Sequence, residues 1–223
     1  MNNIIEVKNL TKVYQDAGKR VTALKNIRLQ LKPAAFVAIA GPSGAGKSTL
    51  IHIMGSLDSP SFGEVLFKGK NLAGLTSKEK AVFRNQRIGF VFQSYHLIPE
   101  LTVYENVFIS CLIGKVSKKT ARDRTQSLIK KLGLQNRINF YPGQISGGEQ
   151  QRCAIARALV NKPEILFCDE PTGNLDKESS ENIKNLLVDI NKSGSTTIVL
   201  VTHNLELANS AQKVLNIKDG CLV

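Results

Sequence analysis

No apolar run in the sequence approaches the roughly 18 residues of a membrane span, and no signal peptide opens it. A soluble, intracellular protein is expected. Cysteine is sparse. Cys111, Cys153, Cys168 and Cys221 are widely scattered and form no Cys-x-x-Cys pair. This argues against a disulfide framework or a zinc site and suits reduced thiols. There is no internal repeat and no low-complexity tract. Acidic residues are outnumbered: 30 Lys and Arg stand against 18 Asp and Glu, giving a net charge of +12. Such a surface suits nucleic acid, anionic lipid or nucleotide phosphates. The densest basic segment runs from Lys115 to Lys131 and includes Lys118, Lys119, Arg122, Arg124 and Lys130. It reads either as a solvated helix face or as a surface held near an anionic leaflet. No aromatics interleave with it, so a nucleic-acid site lacks support.

What is present centres on Gly41-Pro42-Ser43-Gly44-Ala45-Gly46-Lys47-Ser48-Thr49, which contains Gly-x-x-x-x-Gly-Lys-Ser. Four fixed positions arise by chance in a chain this long on the order of one time in a hundred. The apolar run Phe36–Ala40 precedes the motif as a buried strand. Leu50, Ile51, Ile53 and Met54 follow on the packed face of a helix. Glycines let backbone N–H groups converge on an anion, and the helix aims its positive end at the same point. Lys47 is placed to reach the β- and γ-phosphates, and the Ser48 hydroxyl to ligate Mg²⁺. A chain of 223 residues suffices for one large α/β domain with a small insertion.

Along the chain, Ile4–Leu10 and Val21–Leu31 read as strands, with Tyr14 in a polar loop between them. Tyr14 is either a surface aromatic or a stacking platform for adenine. Glu64–Phe67 is a short strand, Gly69–Asn71 a turn, and Ser77–Asn85 a helix. The buried strand Ile88–Phe92 ends at Gln93. Ligands gather at the carboxyl ends of α/β strands, so Gln93 is able to face a nucleotide.

From about Pro99 to Gly143 the pattern turns helical, over Val103–Ile113 and Lys118–Leu132, as in an inserted subdomain. Ile145-Ser146-Gly147-Gly148-Glu149-Gln150 then leads into an alanine-rich helix, Cys153–Val160. Ser146 can cap it. The glycines either expose N–H groups for a phosphate or simply begin a helix. Ile165–Cys168 ends in Asp169 and Glu170. The first fits an acid holding Mg²⁺, the second one that activates water. The loop Gly173–Asp176, a helix over Glu178–Asn191 and a strand over Thr196–Thr202 follow, with His203 at the strand end. Leu205–Ser210 is a short helix and Val214–Ile217 a last strand.

Taken in order, these motifs resemble the ATP-binding subunits of ABC transporters along essentially the whole chain. The resemblance identifies the Walker A loop Gly41–Thr49, the Q-loop Gln93, the signature Ile145–Gln150, Walker B Ile165–Asp169 with Glu170, the D-loop Asp176 and the H-loop His203. Tyr14 falls where the family has its adenine-stacking aromatic. Ile145 and Glu149 depart from the usual leucine and glutamine. Asp-Glu-Pro-Thr-Gly-Asn-Leu-Asp and Phe92-Gln93-Ser94-Tyr95-His96-Leu97-Ile98-Pro99 look like the branch serving lipoprotein release, macrolide export and antimicrobial-peptide transport.

The resemblance implies an α/β fold: a P-loop NTPase core (1–98 and 154–223) with a mostly parallel central sheet, an N-terminal antiparallel part, and an inserted helical signature subdomain (99–153). It implies an ATPase using ATP and Mg²⁺ at the cytoplasmic face of the membrane, peripheral through an integral membrane permease. Two copies enclose two ATP head to tail. Gly41, Ser43, Gly44, Gly46, Lys47, Ser48, Thr49, Tyr14, Gly147 and Asp176 bind nucleotide, and Ser146 and Gly148 of the other copy close over the γ-phosphate. Ser48, Gln93 and Asp169 serve the metal, and Glu170, His203, Gln93 and Lys47 the chemistry. Nucleic acid is not expected as a partner. The competing expectation is a non-transport ABC ATPase acting on nucleic acid or a ribosome.

Overall fold

The computed structural model describes residues 3–16, 19–194 and 196–223. Among these the strands are β1 (Ile5–Asp16), β2 (Lys19–Leu31), β3 (Phe36–Ala40), β4 (Phe62–Phe67), β5 (Lys70–Asn71), β6 (Ile88–Phe92), β7 (Ile165–Asp169), β8 (Thr197–Thr202), β9 (Lys213–Lys218) and β10 (Cys221–Leu222). The helices are α1 (Lys47–Met54), α2 (Ser77–Arg87), α3 (Val103–Ile113), α4 (Lys118–Lys131), α5 (Gly147–Leu159), α6 (Lys177–Lys192) and α7 (Leu205–Ala208). One sheet has the order β2-β1-β4-β5 and is antiparallel. The other has the order β10-β9-β3-β8-β7-β6, parallel except at β10.

The first strand departs from expectation. β1 runs on past Leu10 to Asp16, and Tyr14 pairs with Val21 inside the hairpin, not in a loop. The pairing register shifts between Val7 and Leu10 and again on either side of Lys12, and Asn9 has φ 49. Each bulge moves the alternation by one residue, so the period-two pattern fades while the strand continues. Lys70 and Asn71, expected in a turn, form the short strand β5, and the turn falls at Lys68 and Gly69. The alanine-rich helix begins at Gly147, well before Cys153.

The central parallel strands β3, β7 and β8 are buried on both faces, as their apolar runs require. Ala38, Leu166, Cys168, Ile198 and Leu200 face one core, and Ile39, Ile165, Phe167, Val199 and Val201 the other. The first core continues into the helical block through Val103, Val107, Cys111, Ala121, Ile129, Cys153 and Ile155. Helix α5 packs on both α3 and β6, and it runs unbroken across the expected boundary at residues 153 and 154. It thus ties the block to the sheet. Capping boxes start three of the helices: Thr76 with Glu79, Thr102 with Glu105, and Ser146 with Glu149. The four thiols are free, and burial pushes Cys153 up to about 12.

Candidate active site

Parallel register sets out the site. Ala40 pairs with Thr202, Val201 with Asp169, and Asp169 with Phe92. Four neighbouring strands therefore finish level with one another. The residues that follow or close them, Gly41, His203, Asp169 with Glu170, and Gln93, share one edge of the sheet.

The loop after β3 needs its glycines. Gly44 and Gly46 have φ 77 and 101, a region side chains rarely adopt. A Cβ on Gly46 would lie 2.4 Å from Ala23 O, and one on Gly41 2.2 Å from Ile217 O. Lys47 opens α1 and is only 6% exposed. Its Nζ donates to Gly41 O and Pro42 O, each at 2.9 Å. No carboxylate among the described residues pairs with it. A buried ammonium held only by carbonyls is one charge short, and an anion in the loop would supply it. Ser43 and Thr49 lie on the same loop and helix. Tyr14 Oη donates to Asp58 Oδ2 at 2.8 Å, and the Thr49 hydroxyl also bears on the phenol. Lys12 holds Asp58 at 2.7 Å and lies 4.7 Å from the Tyr14 ring centroid. The ring remains 42% exposed beside the loop.

Ser48 Oγ donates to Asp169 Oδ1 at 2.9 Å. His52, one turn along α1, places Nε2 3.7 Å from Asp169 Oδ2. That is ion-pair range but too long for a hydrogen bond, and Nε2 is buried with no hydrogen-bond partner. Burial raises the Asp169 carboxyl above its ordinary value, against the pull of Ser48, His52 and Lys47 and with a push from Glu170. A hydroxyl beside a partly desolvated carboxylate is a hard oxygen donor set, and it fits Mg²⁺. Gln93 is turned toward the next loop. Its Nε2 donates to Asn174 Oδ1 at 3.0 Å, and Asn174 Nδ2 returns a bond to Gln93 O at 3.2 Å.

Glu170 sits at φ 46, a left-handed conformation uncommon for a side chain of its size. Its carboxylate accepts from His203 N at 2.9 Å and Thr202 Oγ1 at 3.0 Å, and lies 2.8 Å from His203 Nδ1. The acid and the histidine expected at the hydrolytic centre are thus in direct contact.

The signature residues form a second group. Ser146 Oγ accepts from Glu149 N at 3.3 Å while Glu149 Oε2 accepts from Ser146 N at 2.8 Å. Arg137 Nε donates to Glu149 Oε1 at 2.9 Å. The departure at position 149 thus adds an ion pair to a cap that glutamine would also close. Gly148 leaves room for Ser179, whose Oγ a Cβ would meet at 2.9 Å. Ser179 in turn donates to Asp176, the cap of α6. Gly147 faces Tyr95. The hydrogen bonds of Ser146 and Asp176 stay within their own helix turns, apart from the Walker A loop.

Four residues of the site escaped the sequence. His52 and Asn174 touch expected residues, Asp58 anchors Tyr14, and Thr202 anchors Glu170. Only His52 carried a signal, its i+4 spacing from Ser48.

A family model described as ABC transporter matches residues 24–173, from β2 through the Walker B loop. The chain belongs to the ABC transporter family. It is an ATP-binding ATPase subunit of that family. An uncharacterized ABC transporter ATP-binding protein of Methanocaldococcus jannaschii is 46% identical over 220 residues, covering 99% of this chain and 98% of its own. The lipoprotein-releasing system ATP-binding protein LolD of Idiomarina loihiensis is 43% identical, over 98% and 96%. The ATP-binding cassette MJ0796, solved as a dimer in a post-hydrolysis state with ADP and Pi, superposes with a TM-score of 0.90 at 40% identity, covering 98% and 96%. The cbiO1 subunit of the cbiONQ complex of Clostridium perfringens gives 0.88 at 30%, over 100% and 88%.

Proposed function

We propose that this ABC ATPase closes head to tail with a second copy around two ATP molecules and drives a separate integral membrane permease. One observation carries the proposal. The Walker A loop, Gln93, Asp169, Glu170 and His203 share a strand edge, while Ser146, Gly147, Gly148 and Asp176 form a group of helix starts apart from it. A second copy turned about supplies the missing half, and the structural relative MJ0796 is dimeric. Ser146 suits the role: its oxygen is used in the cap, which leaves its hydroxyl proton free to donate to a γ-phosphate.

In this proposal Gly41, Ser43, Gly44, Gly46, Lys47, Ser48 and Thr49 hold the phosphates, and Tyr14 stacks on adenine. Ser48 and Asp169 would hold Mg²⁺, joined by Gln93 once its amide leaves Asn174, and the ion would neutralise charge on the phosphates. Glu170 orients and polarises the attacking water, and His203 holds both Glu170 and the γ-phosphate. Phosphoryl transfer depends chiefly on such positioning. The ATP-binding core is assigned to 1–98 and 154–223, and the helical subdomain to 99–153.

The permease is assigned to the loop Tyr95–Leu101 and the adjoining groove of about 430 Å³, bordered by Leu57, Arg84, Asn85, Ile113 and Arg157. Tyr95 and His96 both have positive φ, and Arg157 donates to both their carbonyls. Buried Asn106 fixes the rest of the loop through Ile98 N, Ile98 O and Leu101 O. Ile98 stays 39% exposed and Ile113 66%. Among the described residues no helix is long and apolar enough to cross a membrane. In this proposal the chain works at the cytoplasmic face, held there by the permease. The relatives named as lipoprotein-releasing system ATP-binding proteins favour a lipoprotein within the cargo class we assign, export or extraction of a lipoprotein, macrolide or peptide-like substrate. A tagged pull-down from detergent-solubilised membranes tests this. A multi-span partner is expected. Ribosomes or nucleic-acid proteins without one would overturn it.

A further inference from the structure

Gln151 lies on the first turns of α5, just past the signature glycines, and its side chain is fully buried. Its Nε2 donates to Pro171 O at 2.5 Å and faces Phe92 O at 3.5 Å, the outer limit of a hydrogen bond. Both neighbours are carbonyls, so the nitrogen is the atom that faces them. Pro171 follows Glu170, and Phe92 precedes Gln93. A single amide therefore reaches the backbone beside both groups, from the helix that carries the signature. Gln151 Oε1 is buried with no partner. An orphaned acceptor lowers stability, so stability alone does not account for a glutamine here. Glu170 needs a support of this kind. A left-handed backbone at a glutamate persists only when its surroundings hold it.

We propose that Gln151 is a positioning residue for ATP hydrolysis. It ties α5 to the carbonyls of Pro171 and Phe92, next to Glu170 and Gln93, so the aim of both side chains follows the position of the signature helix. The proposal rests on the chain's ATPase activity and gives Gln151 no contact with nucleotide. It makes the helical block a regulator of hydrolysis within one chain, in addition to what the block supplies to a second copy.

The test compares steady-state phosphate release, ATP KM and Tm for the full chain and three variants. Gln151→Met removes the amide at similar volume. It exchanges one buried orphan, Oε1, for another, Pro171 O, so Tm should stay near that of the wild type. Its kcat should fall at least about tenfold with KM held within about twofold, since displaced reacting groups lower turnover without loosening binding. Asn191→Leu is the control. It removes bonds to Ala34 O and Thr196 O, away from the site, and should lower Tm with kcat unchanged. Gln151→Glu adds a pH profile. Only the protonated carboxyl can donate to Pro171 O, so the ratio of variant to wild-type kcat should rise as pH falls. A smaller loss of kcat in Gln151→Met, a parallel loss of KM and Tm, or a flat ratio for Gln151→Glu would overturn the role of Gln151. Absence of phosphate release by the wild type would instead overturn the activity on which the proposal rests.

Discussion

Asp169→Asn should make the nucleotide-free protein more stable and far less active. The Asp169 side chain is only 14% exposed, and burial raises its carboxyl above the ordinary value despite Ser48, His52 and Lys47. The folded state therefore holds its proton more tightly than the unfolded chain does. Stability from this group is greatest below the unfolded value of 3.8 and falls as pH rises through the raised folded value. At neutral pH the ionised carboxylate works against the fold. Asparagine removes that charge, and its Oδ1 can still accept from Ser48 Oγ. Single stabilising substitutions commonly gain about 0.5–2 kcal/mol, and the same scale is expected here. For a chain of this size each kcal/mol corresponds to about 2–4 °C in Tm. Thermal unfolding in EDTA without nucleotide should thus show the variant above the wild type at pH 7, with the gap closing toward pH 4. With MgATP the order should reverse. A ligand at a hundred times its Kd adds about 2.7 kcal/mol, and the variant forgoes part of that. A variant less stable than the wild type in EDTA at pH 7, or a gap independent of pH, would refute the reasoning.

Other outcomes are equally open to measurement. Glu170→Gln should still bind ATP and form dimers with it on a sizing column, while phosphate release falls by about 10²-fold or more; wild-type turnover would remove Glu170 from its proposed role. Ser146→Arg should leave the affinity for a fluorescent ATP analogue intact and abolish hydrolysis, and normal hydrolysis would argue against a site shared between copies. Asn106→Ala orphans buried carbonyls around Ile98 and Leu101 and should cost about 3 kcal/mol, read as a Tm drop of about 6–12 °C. In the native protein a thiol reagent should reach Cys221 first, because Cys111, Cys153 and Cys168 are buried with raised thiols; equal labelling of all four would contradict the packing.

The centre of the parallel sheet was legible because β3, β7 and β8 are built on apolar runs, and such runs are what two-sided burial demands. Its functional edge was legible for a related reason. Gly41, Gln93, Asp169, Glu170 and His203 each sit where an apolar run stops, and parallel pairing turns those stops into neighbours. β1 was only half legible. The bulges around Asn9 and Lys12 break the alternation that marks a strand, which moved Tyr14 into a supposed loop. The least legible residues are the buried polar ones. Asn106 and Gln151 are fully enclosed, yet in sequence they look like surface residues, because nothing local says which carbonyls will come to meet them. Both bind backbone rather than side chains: Asn106 holds the loop assigned to the permease, and Gln151 the turn carrying Glu170. A motif names the groups that meet the nucleotide. The groups that aim them come from packing between distant segments, and so they become visible only once the chain is folded.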